Sequence, residues 1–139
     1  MGSKMIFLNL PVEDLGRSKG FYESIGWSIN QDFTDENAAC VVVDDNICLM
    51  LLRKDYYTVF TKRPIADTVA TSAALYALSL PDREAVDGLT EAAVKAGGVE
   101  EVNEQKRAQE AEVGMYGRAF RDLDGHQWEP FWMDYPSAA

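Results

Sequence analysis

Apolar and polar positions in the first third of the chain predict a strand, a helix and three further strands. An apolar run begins at Met5 and ends at Pro11, and Asp14 then offers a side-chain oxygen to cap a helix. Apolar and small side chains recur at helical spacing until Gly26, a residue type that is typical of helix ends. Three extended segments follow, and a turn-forming Asp-Asp-Asn separates the last two: residues 27–34, 38–43 and 47–52.

The same order of elements begins again after a connector at residues 54–74. An apolar run starts at Leu75, Asp82 is the candidate helix cap, and Gly97 ends the next helical stripe. Residues 106–114 are charged and lack apolar periodicity, which predicts a loop. Further extended segments are expected at residues 100–105, 115–121 and 127–133.

This repetition predicts an α+β protein made of two βαβββ modules within a single domain. The first strands of the two halves align at a constant offset of 68 residues, which sets Phe7 on Leu75 and Asp14 on Asp82. The strands would form one curved mixed sheet, or two packed sheets, with the helices outside and a concave face left as the natural pocket. The expected bounds are residues 1–139 for the domain, 5–53 for the first module and 75–134 for the second.

Composition and charge narrow the classes of function. A formal net charge of −10 repels phosphate backbones, so nucleic acid is not an expected partner. No apolar run approaches the ~20 residues of a membrane span, and residues 1–4 do not resemble a signal peptide. We therefore expect a cytoplasmic protein that is not bound to a membrane. Cys40 and Cys48 are expected as reduced, buried thiols, although a disulfide between the two arms of a hairpin is an alternative.

Two motifs near opposite ends of the chain resemble those of a known superfamily. Residues 10–27, LPVEDLGRSKGFYESIGW, are similar to the pattern V-x-D-L-x-R-S-x-x-F-Y followed by L-G. Residues 120–129, FRDLDGHQWE, are similar to F-x-D-P-D-G-H-x-W-E, with Leu123 in place of the proline. Both patterns are typical of the vicinal-oxygen-chelate superfamily of glyoxalases, bleomycin resistance proteins and extradiol dioxygenases. The resemblance implies the paired βαβββ fold, a small-molecule ligand and a homodimer, but the fold alone does not choose between lyases, dioxygenases, epimerases and drug-binding proteins.

The resemblance also indicates where a metal would be bound. In metal-dependent members, four side chains from the first and last strands of the modules hold one divalent ion. The corresponding positions here are Phe7, Met50, Leu75 and Glu129. The first three side chains have no oxygen or nitrogen to donate, and one carboxylate does not make such a site. We therefore expect neither a metal nor another cofactor.

Glu129 is the candidate functional residue. Beside apolar walls, its carboxylate would be a general base or would bind a cationic or hydroxylic ligand. A carboxylate with a purely structural partner is the alternative. The expected ligand pocket consists of Phe7, Asn9, Met50, Leu75, Tyr116, Glu129 and Phe131.

Two further polar side chains have simpler interpretations. His126, the only histidine, follows Asp124-Gly125 and is interpreted as a turn residue rather than a metal ligand. Arg118, near Tyr116, is a candidate anion-binding group, with a solvent-facing side chain as the alternative.

Three functions follow from these observations. The first is a metal-free protein that binds or sequesters an amphipathic or cationic small molecule in an apolar cavity. The second is an enzyme of lyase or dioxygenase type, with Glu129 as acid–base or as the sole retained metal ligand. The third is an interaction protein whose pocket is filled by its own side chains. Saturable binding without turnover separates the first from the second, and a large open cavity argues against the third.

Overall fold

The computed structural model describes residues 4–134. Residues 1–3, which belong to the segment that does not resemble a signal peptide, and residues 135–139 of the expected domain lie outside that range. The chain divides into two compact units between Asp67 and Thr68. Each unit contains one βαβββ module and its own sheet, so the α+β class and the repeated order of elements are confirmed. Of the two arrangements expected for the strands, the hydrogen bonds give two mixed sheets.

The first unit follows the predicted order closely. Its sheet has the strand order β1-β4-β3-β2, in which β1 is parallel to β4 and the other pairs are antiparallel. Asp14 caps α1 by accepting a hydrogen bond from the backbone N–H of Arg17 at 3.0 Å. The helix buries Phe21 and Tyr22 and packs against β2, β3 and β4. The elements are β1 (Ile6–Val12), α1 (Leu15–Ser24), β2 (Ser28–Asn30), β3 (Ala38–Asp44), β4 (Ile47–Arg53) and α2 (Lys54–Tyr57).

The second unit repeats this plan with one additional helix. Its sheet has the order β5-β9-β8-β6, and β7 pairs with the far end of β9 as a continuation of β8. Asp82 caps α3 by accepting from the backbone N–H of Ala85 at 2.8 Å. The elements are β5 (Leu75–Ser79), α3 (Arg83–Lys95), β6 (Val99–Glu100), α4 (Glu104–Glu112), β7 (Met115–Gly117), β8 (Phe120–Arg121) and β9 (Gln127–Met133).

The strand registers show which positions of the two modules are equivalent. In the first sheet Asn9 lies opposite Met50, and in the second Ala77 lies opposite Glu129. The first strands therefore correspond at the offset of 68 that the sequence indicates, and the last strands correspond at an offset of 79. Met50 thus occupies in the first module the position that Glu129 occupies in the second.

The remaining offsets locate the additional residues of the second module. Ser28 and Val99 open equivalent strands, which gives an offset of 71. The offset rises from 68 to 71 across the helix because α3, with 13 residues, is three residues longer than α1, with 10. The offset rises again from 71 to 79 because the second module has eight more residues between its second and third strands. These residues make room for α4.

Three predictions about local structure were wrong around these connections. Residues 100–105 were expected to be extended and residues 106–114 to be a loop, but β6 is short and α4 covers Glu104–Glu112. The helix forms because Asn103 accepts from the backbone N–H of Lys106 at 3.1 Å and because strong helix formers fill it. In the first module, β2 gives way to a 3-10 turn at Gln31–Phe33, where a longer strand was expected.

No helix between residues 4 and 134 is long and apolar enough to cross a membrane.

Candidate functional site

Glu129 lies on the face of the second sheet that α3 does not cover. Along β9, Trp128 and Pro130 are buried, whereas Glu129 and Phe131 point to the opposite face because side chains alternate along a strand. The Glu129 side chain is 20% exposed. On the neighbouring strand β5, Leu75 lies on this same open face and is 57% exposed.

A cavity of about 660 Å³ lies on this face. Its volume falls within the range of small-molecule sites, which is about 300–1,000 Å³. Leu75 and Glu129 both line it, together with the apolar side chain of Val102. The rest of the lining is mainly polar or charged, and its ionisable members are Glu101, Glu104, Lys106, Arg107 and Arg118. The expectation of largely apolar walls beside Glu129 is therefore corrected for this unit, since α4 brings charged side chains to the cavity.

Helix α4 places an ammonium group between two carboxylates. Lys106 Nζ lies 2.9 Å from Glu110 Oε2 and 3.7 Å from Glu129 Oε2. Glu110 is only 8% exposed, and its carboxylate packs so closely on Gly117 that a Cβ there would lie 2.9 Å from Oε2. Its other oxygen, Oε1, has no hydrogen-bond partner among residues 4–134. The missing side chain at position 117 is thus what lets α4 approach the strand.

Arg118 is not solvent-facing but is the centre of an ion-pair network. Its guanidinium donates to both carboxylate oxygens of Glu100, at 2.9 and 2.8 Å, and to Asp87 Oδ1 at 3.0 Å. Hydrogen bonding from Arg118 lowers the pKa of Glu100. The guanidinium nitrogens are therefore occupied by the protein itself, which leaves Arg118 poorly placed to bind a ligand anion.

Tyr116 belongs to this network and not to the Glu129 face. It pairs with Trp132, and its hydroxyl donates to Asp87 Oδ1 at 2.5 Å. That hydrogen bond raises the pKa of Tyr116 and, together with Arg118, lowers the pKa of Asp87. Tyr116 lines a second cavity of about 330 Å³, where the Arg83 guanidinium lies 5.5 Å from its ring centroid. The structure does not bring Tyr116 to Glu129.

His126 closes a tight turn, as predicted from its neighbours. The backbone N–H groups of Asp124 and His126 both donate to Asp122 Oδ1 at 2.9 Å. Gly125 has a φ of 89°, and a Cβ on it would lie 2.1 Å from the carbonyl oxygen of Thr68. The Asp-x-Asp-Gly-His motif therefore has a backbone function, in which a buried carboxylate and a glycine shape the entry into β9.

The predicted pocket residues of the first unit lie on or beside one face of its sheet. Phe7 is 51% exposed on β1, and Asn9 two residues later is exposed on the same face, opposite Met50. Cys40 and Cys48 are buried free thiols on the adjacent strands β3 and β4. Burial, and then the neighbouring Cys48, raise the pKa of Cys40.

The residues present do not fit the metal site of the superfamily. Phe7, Met50 and Leu75 offer no side-chain oxygen or nitrogen to a metal ion, and Glu129 has an ammonium group beside it. Within residues 4–134, no three His, Cys, Asp or Glu side chains are grouped so that they could hold a metal ion. No chemical step is therefore assigned to a bound metal.

Sequence reasoning missed Lys106 and Glu110. Both lie in the segment that was expected to be a loop, because α4 is polar on all sides and shows no apolar stripe. Asn103 followed by a run of Glu, Gln, Lys, Arg and Ala was the signal that could have identified the helix. The Lys106–Glu110 spacing of four residues was a further indication.

Comparison with known proteins agrees with this architecture. Residues 4–44, which include β1 to β3, match the family model of the bleomycin resistance protein-like N-terminal region. No curated protein sequence matches the chain. A hypothetical protein from S. aureus is similar over 95% of this chain and 94% of that chain, with a TM-score of 0.72 and 24% sequence identity.

Two further solved structures carry functional names. A glyoxalase/bleomycin resistance protein/dioxygenase family enzyme from Burkholderia phytofirmans PsJN has a TM-score of 0.75 at 15% identity, over 94% of this chain and 99% of that one. The bleomycin resistance determinant encoded on transposon Tn5 has a TM-score of 0.60 at 19% identity, over 96% and 100%. The chain thus has the fold of these proteins, and the resemblance of its two motifs is confirmed at the level of the fold.

Proposed function

We propose that this protein binds a small amphipathic molecule whose cationic or hydroxylic group interacts with Glu129, without a metal ion. The cavity beside Glu129 carries the proposal. Its volume suits a small molecule, Leu75 and Val102 supply apolar contact, and Glu129 supplies a carboxylate that is largely withdrawn from water. A cavity of this size also argues against an interaction protein whose pocket is filled by its own side chains.

The fold comparison supports a binding role in a second way. The Tn5 protein is named for bleomycin resistance, and it shares the fold of this chain. Bleomycin and simple alkylammonium compounds are therefore the first ligands to test. They share a cationic character that a carboxylate can pair with.

The test compares Glu129→Gln with the native protein by isothermal titration calorimetry. We expect saturable binding of bleomycin or nonylammonium to the native protein, and at least about tenfold weaker binding to Glu129→Gln, because a charge-assisted hydrogen bond is lost. Glu23→Gln, at an exposed position of α1, is the matched control and should bind like the native protein. Equal affinities for Glu129→Gln and the native protein would remove Glu129 from the site.

An enzyme that abstracts a proton from its substrate, as many lyases do, is the second candidate function. The observation in its favour is the Lys106–Glu129 pair, since a base beside an ammonium group can accept a proton from a bound substrate while the ammonium stabilises the resulting negative charge. Analysis of the bound compounds by mass spectrometry after long incubation separates the two functions. Recovery of unchanged ligand supports binding, and a new product supports catalysis.

A further inference from the structure

Lys106 forms an ion pair with Glu129, the carboxylate that is proposed to bind the ligand. Its Nζ lies 3.7 Å from Glu129 Oε2, and its side chain is 28% exposed where it lines the cavity. An ammonium group has three N–H donors. One is directed to Glu110 at 2.9 Å, and the distance to Glu129 is longer than a hydrogen bond. Lys106 therefore keeps donor capacity for a molecule in the cavity.

The other cations that line the cavity are less suited to this role. Arg118 uses its guanidinium for Glu100 and Asp87. Arg107 is 42% exposed, and its guanidinium lies 3.5 Å from Glu100 and 3.9 Å from Glu104, so it is largely hydrated and directed to other carboxylates. Lys106 is the cation that pairs with Glu129 itself.

Glu110 holds Lys106 in place. Its carboxylate is buried against Gly117, and Lys106 is the cation within ion-pair distance of it. A ligand cation that displaced Lys106 from the site would leave a buried carboxylate unpaired, which is strongly unfavourable. The ammonium group therefore stays in the cavity when a ligand enters.

We infer that Lys106 is a second ligand-contacting residue, and that the site selects ligands that carry a cationic group and an acceptor oxygen side by side. This inference rests on the proposed function of Glu129. The positive charge beside Glu129 comes from Lys106. A zwitterionic headgroup of the α-amino-acid kind satisfies both charges at once. A purely cationic ligand meets the repulsion of Lys106, and a purely anionic one meets that of Glu129.

Three compounds that share one octyl chain provide the test. They are 2-aminodecanoate, nonylammonium, which lacks the carboxylate, and decanoate, which lacks the ammonium. Affinities are measured by isothermal titration calorimetry for the native protein, Lys106→Met, Glu129→Gln and the control Lys62→Met, whose position is exposed in the first unit. Because Lys106→Met leaves Glu110 unpaired, Lys106→Met combined with Glu110→Gln serves as a second variant if the first does not fold.

We expect the native protein and Lys62→Met to bind 2-aminodecanoate at least about tenfold more tightly than either single-charge compound. Loss of Lys106 should abolish the preference over nonylammonium while leaving nonylammonium binding unchanged or tighter. Glu129→Gln should instead abolish the preference over decanoate. A purely structural Lys106 would weaken all three compounds equally.

The outcomes distinguish this inference from the proposed function. Suppose that the native protein binds nonylammonium as tightly as 2-aminodecanoate, and that Glu129→Gln weakens this binding. The role of Lys106 would then be overturned and the proposed function would remain. The role of Lys106 would also be overturned if the Lys106 variants bound all three compounds more weakly by the same factor. Absence of binding by all three would overturn both.

Discussion

The two modules of this chain share one plan of strands and helix, yet equivalent positions carry different chemistry. Met50 in the first module corresponds to Glu129 in the second, and the buried Ala39 corresponds to Arg118, at the common offset of 79. The third strand of the first module is mostly buried and apolar at Ala38–Val41. The second module replaces part of that apolar surface with charged groups that need partners.

The additional helix α4 supplies some of those partners. It brings Lys106 to Glu129 and Glu110 to Gly117, whereas the first module has only a 3-10 turn at this point of the fold. Eight inserted residues thus change one module of a repeated scaffold from an apolar sheet into a charged cavity. The connection between the second and third strands, as well as the strands themselves, therefore decides which side chains meet on the face of the sheet.

Alanine substitutions in the turn before the last strand should show the largest difference in stability between the two modules. Gly125→Ala puts a Cβ 2.1 Å from the Thr68 carbonyl oxygen at a φ of 89°, so we expect a loss of about 3 kcal/mol or more in the free energy of unfolding. Asn46 is the equivalent residue of the first module and is exposed. Asn46→Ala should cost less than about 0.5 kcal/mol. Urea denaturation measures both, and equal costs would show that the two turns are not structurally different.

Replacement of Arg118 should give the next largest loss of stability. Its removal takes away the guanidinium that donates hydrogen bonds to Glu100 and Asp87, and leaves Glu100 only the 3.5 Å contact with Arg107. We therefore expect Arg118→Ala to lower the free energy of unfolding by about 2 kcal/mol at neutral pH. The more exposed Arg107 is the control, and Arg107→Ala should cost less than about 0.5 kcal/mol.

The loss of stability caused by Arg118→Ala should depend on pH in one direction. The pKa values of Glu100 and Asp87 lie below the ordinary values of 4.5 and 3.8. The network therefore stabilises the folded state fully above those ordinary values, and this stabilisation is lost as the pH falls through the lower folded pKa values. The difference between native protein and Arg118→Ala should shrink between pH 5 and pH 3. A difference that stayed constant over this range would contradict the assignment of the network.

Gly117→Ala should change the stability least, and the side chain at position 110 decides whether the change is destabilising or stabilising. Gly117→Ala makes this position like Ala38 of the first module, but the added Cβ would lie 2.9 Å from Glu110 Oε2. Since a flexible carboxylate can move, we expect a cost of about 1 kcal/mol. In a Glu110→Ala background the same change should be neutral or stabilising, because alanine then lacks the clash and suits a strand better than glycine. A double-mutant cycle by urea denaturation measures the coupling, and no coupling would mean that Glu110 does not pack on Gly117. Glu112→Ala, at an exposed position of α4, is the control background.

Much of the fold could be read from local patterns in the sequence. Asp14 and Asp82 cap the predicted helices, Gly26 and Gly97 have the positive φ that ends them, and the strand from Gln127 to Met133 has the predicted bounds. The motif with Asp122 and Gly125 also implied its turn. These features depend on neighbours a few residues apart, so the sequence carries them directly. The homodimer and the cytoplasmic location stay predictions.

The candidate site was decided by tertiary structure. The sequence by itself determined the retained carboxylate at Glu129 and the absence of side-chain oxygen or nitrogen atoms at Phe7, Met50 and Leu75. It did not determine that Lys106, 23 residues earlier, would stand beside Glu129, because the helix that carries Lys106 has no apolar stripe and is positioned by a contact with Gly117. Likewise, Arg118 is poorly placed to bind a ligand because its guanidinium donates hydrogen bonds to Asp87 and Glu100, which lie on other elements. Local periodicity encodes strands and helices, whereas the partner of each buried charge depends on which elements the fold brings within a few ångströms.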